Sequence, residues 1–167
     1  MILLDTSVLS LAFRRRRGGE PEPQVAATLR RLVAADAPVG VPGIVLQELL
    51  SGVRTPQEFD RLMGIMEGFA LVIARREDHL AAARIANACA RKGVPTSTVD
   101  CLIAALAISR QAALFTLDAD FARMAAPSGL TLFKVSGGGA ADCNFHFTFC
   151  IPGAGASSVC HPPPRAL

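Results

Sequence analysis

The sequence predicts a three-layer α/β/α domain with a central, mainly parallel sheet of about five strands, and three observations carry that expectation. Short apolar runs bounded by Gly, Pro, Asp or Thr alternate with longer segments whose apolar residues recur every three or four positions. Strands alternating with helices imply a parallel sheet covered on both faces. With 167 residues, 51% of them apolar, the chain has enough material for one good core and too little for two ordinary domains.

Met1 to Leu4 reads as a buried strand, and Asp5-Thr6-Ser7 turns it into a helix carrying Val8, Leu9, Leu11, Ala12 and Phe13. Arg14–Arg17 with Gly18-Gly19 breaks the pattern as a basic loop. Val25, Leu29, Leu32 and Val33 share the face of a second helix, Pro38–Pro42 is a second strand, and Ile44–Leu50 a third helix. Thr55-Pro56 opens a fourth helix, with Phe59, Leu62, Met63 and Met66 at helical spacing and Gly68 at its end. Ala70–Ile73 is a third strand, and Glu77–Lys92 a helix stopped by Gly93 and Pro95. The almost uninterrupted apolar helix after Ser97 follows. Ala112–Leu117 reads as a fourth strand, Asp118–Ala125 as a short helix and Leu130–Val135 as a fifth strand.

After Val135 the composition changes to Gly137-Gly138-Gly139, Pro162-Pro163-Pro164 and three of the five cysteines, so residues 1–135 are expected to form the domain and residues 136–167 a poorly ordered tail. Cys143, His146, Cys150, Cys160 and His161 lack the Cys-x-x-Cys pairing of a zinc site. Cys89 and Cys101 fall in apolar helical patterns and read as small core residues. The longest apolar run, Cys101–Ile108, is far short of a membrane span, and no charged n-region precedes Met1-Ile2-Leu3-Leu4, so the expectation is a soluble, cytoplasmic protein. Net charge is +3, with Arg supplying 15 of the 17 basic residues, a composition suited to phosphate but not diagnostic of it.

Four acids border what should be core, where an unpaired carboxylate is expensive. Each has a purely structural reading. Asp5 and Asp118 cap the helices that follow them, Ser97-Thr98-Val99-Asp100 has the spacing of a capping box, and Glu48 points to solvent. Jointly they read differently. In a doubly wound sheet, ligands bind beyond the carboxyl ends of the strands; Asp5 and Asp118 directly follow strands, and Glu48 and Asp100 lie in the first turns of helices facing that edge. Converging carboxylates repel unless a cation joins them, and an all-oxygen set favours Mg²⁺ or Mn²⁺ over zinc. Such an ion activates water and neutralises charge on a leaving oxygen, so phosphodiester hydrolysis is the natural reaction.

The blocks Ile2-Leu3-Leu4-Asp5-Thr6-Ser7-Val8-Leu9, Glu48-Leu49-Leu50-Ser51-Gly52, Asp100 to Ala107 and Thr116-Leu117-Asp118-Ala119-Asp120-Phe121 resemble, in this order, the PIN-domain ribonucleases, and within them the VapC-like toxins of type II toxin–antitoxin systems. The resemblance runs from Met1 to about Val135. It implies that Asp5, Glu48, Asp100 and Asp118 hold one or two Mg²⁺ or Mn²⁺ ions in an endoribonuclease site that attacks RNA with metal-activated water. Thr6 and Thr116 would give hydroxyl support, and Asp120 would assist from nearby or replace Asp118 as the fourth acid. It also implies a homodimer and a VapB-like antitoxin in the active-site groove, for which the surface around Phe59, Leu62, Met63 and Met66 is a candidate.

Arg14, Arg15, Arg16 and Arg17 are candidates for contact with the RNA backbone, against a solvated charge run on a loop. With nine Phe and no Trp or Tyr there is no evident base-stacking platform. Two other functions fit less well. A phosphohydrolase of small phosphate esters would also use strand-end acids, but the Asp-x-Asp-x-Thr motif expected of it after the first strand is absent. A non-catalytic PIN-like module binding RNA or protein would not require the full acid set.

Overall fold

The computed structural model describes residues 1–13 and 23–135. Arg14–Arg17 and residues 136–167, with the Cys and His residues of the tail, lie outside them. Among the described residues four strands, β1 (Ile2–Leu4), β2 (Val39–Pro42), β3 (Ala70–Val72) and β4 (Ala113–Phe115), alternate with seven helices. These are α1 (Thr6–Phe13), α2 (Gln24–Ala34), α3 (Gly43–Ser51), α4 (Pro56–Met66), α5 (Arg76–Arg91), α6 (Thr98–Ser109) and α7 (Ala119–Ser128).

The strands are all parallel, in the order β3-β2-β1-β4. Ile2 pairs with both Val39 and Ala113, which makes β1 a central strand. Ile2, Leu3 and Leu4 are all buried, and because successive side chains point to opposite faces, helices must cover the sheet on both sides. The result is the three-layer α/β/α arrangement expected. Gly40 is a point of close approach between β2 and its sheet neighbour β3: a Cβ there would lie 3.2 Å from the Ala70 carbonyl oxygen and from Val72 Cγ2.

The helix after Ser97 is the centre of the core. Cys101 and Ile103–Ala107 are all buried on α6, and α5 packs along it. A helix apolar on most of its circumference stays in water only if neighbours surround it. The two helices are tied at one end by Asp78, which is 2% exposed and takes hydrogen bonds from the Arg75 amide (2.8 Å), the Ser109 hydroxyl (2.8 Å) and the Arg110 guanidinium (3.2 Å). Burial pushes the Asp78 carboxyl up, but those donors outweigh it and hold it below the usual range. Cys89 and Cys101 are buried free thiols, and burial pushes the Cys89 thiol up, keeping it neutral.

Three expectations change in detail. The fifth strand is reduced to one parallel bridge, Leu114 with Leu132, made by Leu114 N–H to Thr131 O and Phe133 N–H to Leu114 O. β4 is three residues long, and all three pair with β1 on its other side. Because β4 stops at Phe115, Asp118 is three residues beyond the strand end instead of directly following it, with Thr116 and Leu117 between. Glu48 is on the second turn of α3, not the first, because it is the sixth residue from the helix start at Gly43.

Candidate functional site

The connections fix where the helix ends lie. α1 and α3 each begin within two residues of a strand's carboxyl end, so their N-termini face that edge of the sheet, and the start of α7 is tied to the same place by Leu117 N–H on the Ser7 hydroxyl. α6 runs into β4 through a link of three residues and must run antiparallel to it, which brings the N-terminus of α6 to the same edge. Asp5 precedes α1, Asp118 precedes α7 and Asp100 is in the first turn of α6, so three of the four acids stand at helix N-termini, where negative charge is favoured.

Asp5 is 6% exposed and held most firmly. Its Oδ2 accepts from the Ser7 hydroxyl at 2.5 Å, the Thr116 hydroxyl at 2.9 Å and the Ser7 amide at 3.3 Å. The Ser7 oxygen in turn accepts from Leu117 N–H at 3.0 Å, and Thr116 Oγ1 accepts from Asp118 N–H at 3.0 Å. Two hydroxyls thus join the end of β1 to the loop that carries Asp118. Backbone pairing continues into the same place, with Asp5 N–H bonded to the Phe115 carbonyl at 3.0 Å.

Glu48 is exposed, and its Oε2 accepts from the Thr6 hydroxyl at 2.8 Å. Asp100 closes the expected capping box: its Oδ2 accepts from the Ser97 hydroxyl at 2.6 Å and the Ser97 amide at 3.3 Å, while its own amide donates to Ser97 Oγ at 3.0 Å. Asp118 caps α7, its Oδ1 accepting from Asp120 N–H at 2.8 Å. The Asp120 carboxylate pairs with Arg123 on the same helix. Beside Glu48 a groove of about 570 Å³ opens between α1, α3 and α4, lined by Thr6, Phe13, Leu49, Arg54 and Leu62 among others. On α4, Leu62 and Met66 are core, whereas Phe59 and Met63 are 39% and 42% exposed.

One pattern is common to the four acids. Every hydrogen bond to Asp5, Glu48, Asp100 and Asp118 falls on a single carboxylate oxygen, and among the described residues the other oxygen receives none. Such acids are all-oxygen donors of the kind a hard divalent cation takes. Their convergence on one point is nevertheless not formed: among the described residues no three His, Cys, Asp or Glu come together as a group able to hold a metal ion. Each side chain is instead drawn to its own hydroxyl or cap. Among the described residues no helix is long and apolar enough to cross a membrane.

Ser7 is the residue that the sequence pattern did not single out, since Asp-Thr-Ser before a helix reads as interchangeable capping residues. The available signal was its position two residues after Asp5, where a short hydroxyl can bond back to the preceding acid.

In a parallel α/β domain, ligands bind beyond the carboxyl ends of the strands, the edge where these helix-start acids stand. The PIN domain family profile matches residues 2–127, and the chain belongs to that family. Among solved structures it is similar to FitAcB from Neisseria gonorrhoeae, with 22% identity and a TM-score of 0.65 over 80% of this chain and 97% of that one. VapBC2 from Rickettsia felis, bound to a promoter DNA fragment, gives 21%, 0.64, 80% and 98% in the same terms. A toxin–antitoxin complex from Klebsiella pneumoniae gives 20%, 0.56, 73% and 91%. At these identities the similarity establishes the fold. No curated protein sequence matches the chain.

Proposed function

We propose that the chain is a metal-dependent endoribonuclease, the toxin of a toxin–antitoxin pair, cleaving RNA phosphodiester bonds until a VapB-like antitoxin occupies its groove. The observation that carries this reading is the set of four carboxylates on the helix starts and the adjoining helix of one sheet edge, each with one oxygen bonded and, among the described residues, the other without a donor. Membership of the PIN domain family and the fold shared with a toxin–antitoxin complex support it.

Asp5, Glu48, Asp100 and Asp118 would hold Mg²⁺ or Mn²⁺. When bound, such an ion supplies charge neutralisation at the phosphate and makes water acidic enough to attack near neutral pH. The chain's own residues do the rest. Ser7 and Thr116 fix the Asp5 carboxylate, Thr6 steadies Glu48 and Ser97 steadies Asp100. Asp118 is preferred to Asp120 as the fourth acid because Asp120 is paired with Arg123. Phe59 and Met63 on α4 are the exposed apolar residues offered to an antitoxin, and the toxin is proposed to act in the cytoplasm as a homodimer.

The test is cleavage of total RNA by antitoxin-free protein in Mg²⁺, Mn²⁺ or EDTA, with the new ends mapped. Wild type should cut in either metal and not in EDTA, and Asp100→Asn should cut at least ~10²-fold more slowly. Undiminished cleavage by Asp100→Asn, or by wild type in EDTA, refutes the mechanism. The absence of an assembled three-donor group among the described residues favours a second reading, a PIN module that binds RNA without cutting it; RNA binding with no metal-stimulated product would establish that one.

A further inference from the structure

The longest helix carries a charge pattern that its own stability does not explain. Between Asp78 and Asp100 the sequence contains no Asp or Glu, while Arg84, Arg91 and Lys92 are all exposed. With Arg76, the arginines of α5 fall within a sector of about 80° at 100° per residue, with Leu80 and Asn87 between them. At 1.5 Å per residue, Arg76 and Arg84 are about 12 Å apart along the axis, and Arg84 and Arg91 about 11 Å. Positions three and four residues from Arg84 hold Leu80, Ala81, Asn87 and Ala88, so no acid on the helix pairs with it. Among the described residues none of the three arginines makes an ion pair or a hydrogen bond.

The ordinary reading of a cation on a helix is partnership with the macrodipole. That accounts for Arg91, in the last turn, and leaves Arg84 in the middle unexplained. For Arg76, the first helical residue, the sign is wrong, since a cation at a helix N-terminus is disfavoured.

The placement of α5 gives the row a direction. Asp78 is bonded to Ser109 and Arg110 at the far end of α6, so α5 and α6 lie antiparallel. α6 begins at the carboxyl edge with Asp100, and the turn from Lys92 to Ser97 therefore lies at that edge too. The arginines lead away from the candidate site, starting beside the capping box that holds Asp100.

We infer that Arg76, Arg84 and Arg91 on α5 form a track for the RNA phosphate backbone, which holds the strand leading away from the site of cleavage. The inference rests on the proposed ribonuclease reading and adds the surface by which substrate is engaged. Contacts to phosphate carry no sequence information, and they agree with a chain without Trp or Tyr to stack on bases.

Binding separates this from the cleavage reaction. A fluorescein-labelled single-stranded RNA of about 20 nucleotides is titrated with full-length protein in EDTA at 50 to 300 mM KCl, and anisotropy gives the salt slope of log affinity. Each phosphate contact on a single strand contributes about 0.7 to that slope, so the triple variant Arg76→Gln/Arg84→Gln/Arg91→Gln should lose about 2 in slope and at least ~10-fold in affinity at 100 mM. Arg84→Lys keeps the charge and should keep the slope. Lys134→Gln, an exposed charge lost elsewhere, should leave the slope unchanged. Gln has nearly the helix propensity of Arg, so the fold is expected to survive, and circular dichroism checks it. An unchanged slope in the triple variant overturns the track, as does an equal loss in Lys134→Gln. A protein that shows the expected slopes but cuts no RNA sinks the nuclease and leaves the track; one that cuts RNA with slopes indifferent to these arginines does the reverse.

Discussion

Replacing Ser7 with Ala tests the candidate site at the residue on which most of its hydrogen bonds depend. The change removes the hydroxyl that donates to Asp5 Oδ2 at 2.5 Å and accepts from Leu117 N–H at 3.0 Å. A hydrogen bond to a charged acceptor contributes about 1.5–3 kcal/mol. The Leu117 amide is at the surface and turns to water, so its share is small, and Thr116 and the Ser7 amide continue to serve Asp5. The expected loss is about 2 kcal/mol, a fall of about 4–8 °C in melting temperature for a protein of this size. Calorimetry measures that. A merely structural role stops there, whereas a residue that orients a metal ligand also sets metal affinity, by about 10–100-fold. Isothermal titration with Mn²⁺ should therefore show weaker uptake in Ser7→Ala and recovery in Ser7→Thr. If Ser7→Ala melts with the parent and binds Mn²⁺ as tightly, the hydroxyl does not hold Asp5 in place.

Two further outcomes concern the frame that carries the site. Gly40→Ala puts a Cβ 3.2 Å from the Ala70 carbonyl and from Val72 Cγ2, and overpacking of that kind should cost about 1–3 kcal/mol in a denaturant titration; an unchanged midpoint would mean that β2 and β3 shift freely. Asp78→Asn should cost about 3 kcal/mol at pH 7, since it breaks a buried pair while keeping an acceptor for the Arg75 amide. Asp78 has its folded pKa lowered from 3.8, so its contribution is complete above the unfolded value and is lost as pH falls through the folded one. The gap between parent and variant should accordingly close below about pH 4; a gap that is independent of pH would assign it to packing.

What could be read in the chain was local. The capping box at Ser97 and Asp100 lies within four residues, and α6 announces itself as a continuous apolar run; both are found where the pattern put them. Strand ends were less legible, because an apolar residue such as Leu117 scores as strand even though its amide leaves the ladder for the Ser7 hydroxyl and its side chain is 49% exposed. Glu48 was assigned to the first turn of its helix, although it is the fifth residue even counted from Ile44 and the sixth from Gly43. The bonds that organise the site join residues far apart, 42 positions for Thr6 with Glu48 and 111 for Thr116 with Asp5, and no periodicity carries such information. Family resemblance pointed to those threonines; it gave no reason to prefer Ser7.

Capping and cation binding look like competing accounts of these acids, and the hydrogen bonds show why they need not compete. A cap needs one oxygen, and Asp5, Asp100 and Asp118 each spend one on the start of a helix, while Glu48 spends one on Thr6. The bonded oxygen fixes the position of the group, and for Asp5, Asp100 and Asp118 that position is a helix N-terminus. Among the described residues these anchored acids do not come together as a three-donor group. The acid with three donors, Asp5, is then the fixed point, and Glu48, exposed on the second turn of α3 with one hydroxyl partner, is the one with most freedom to move.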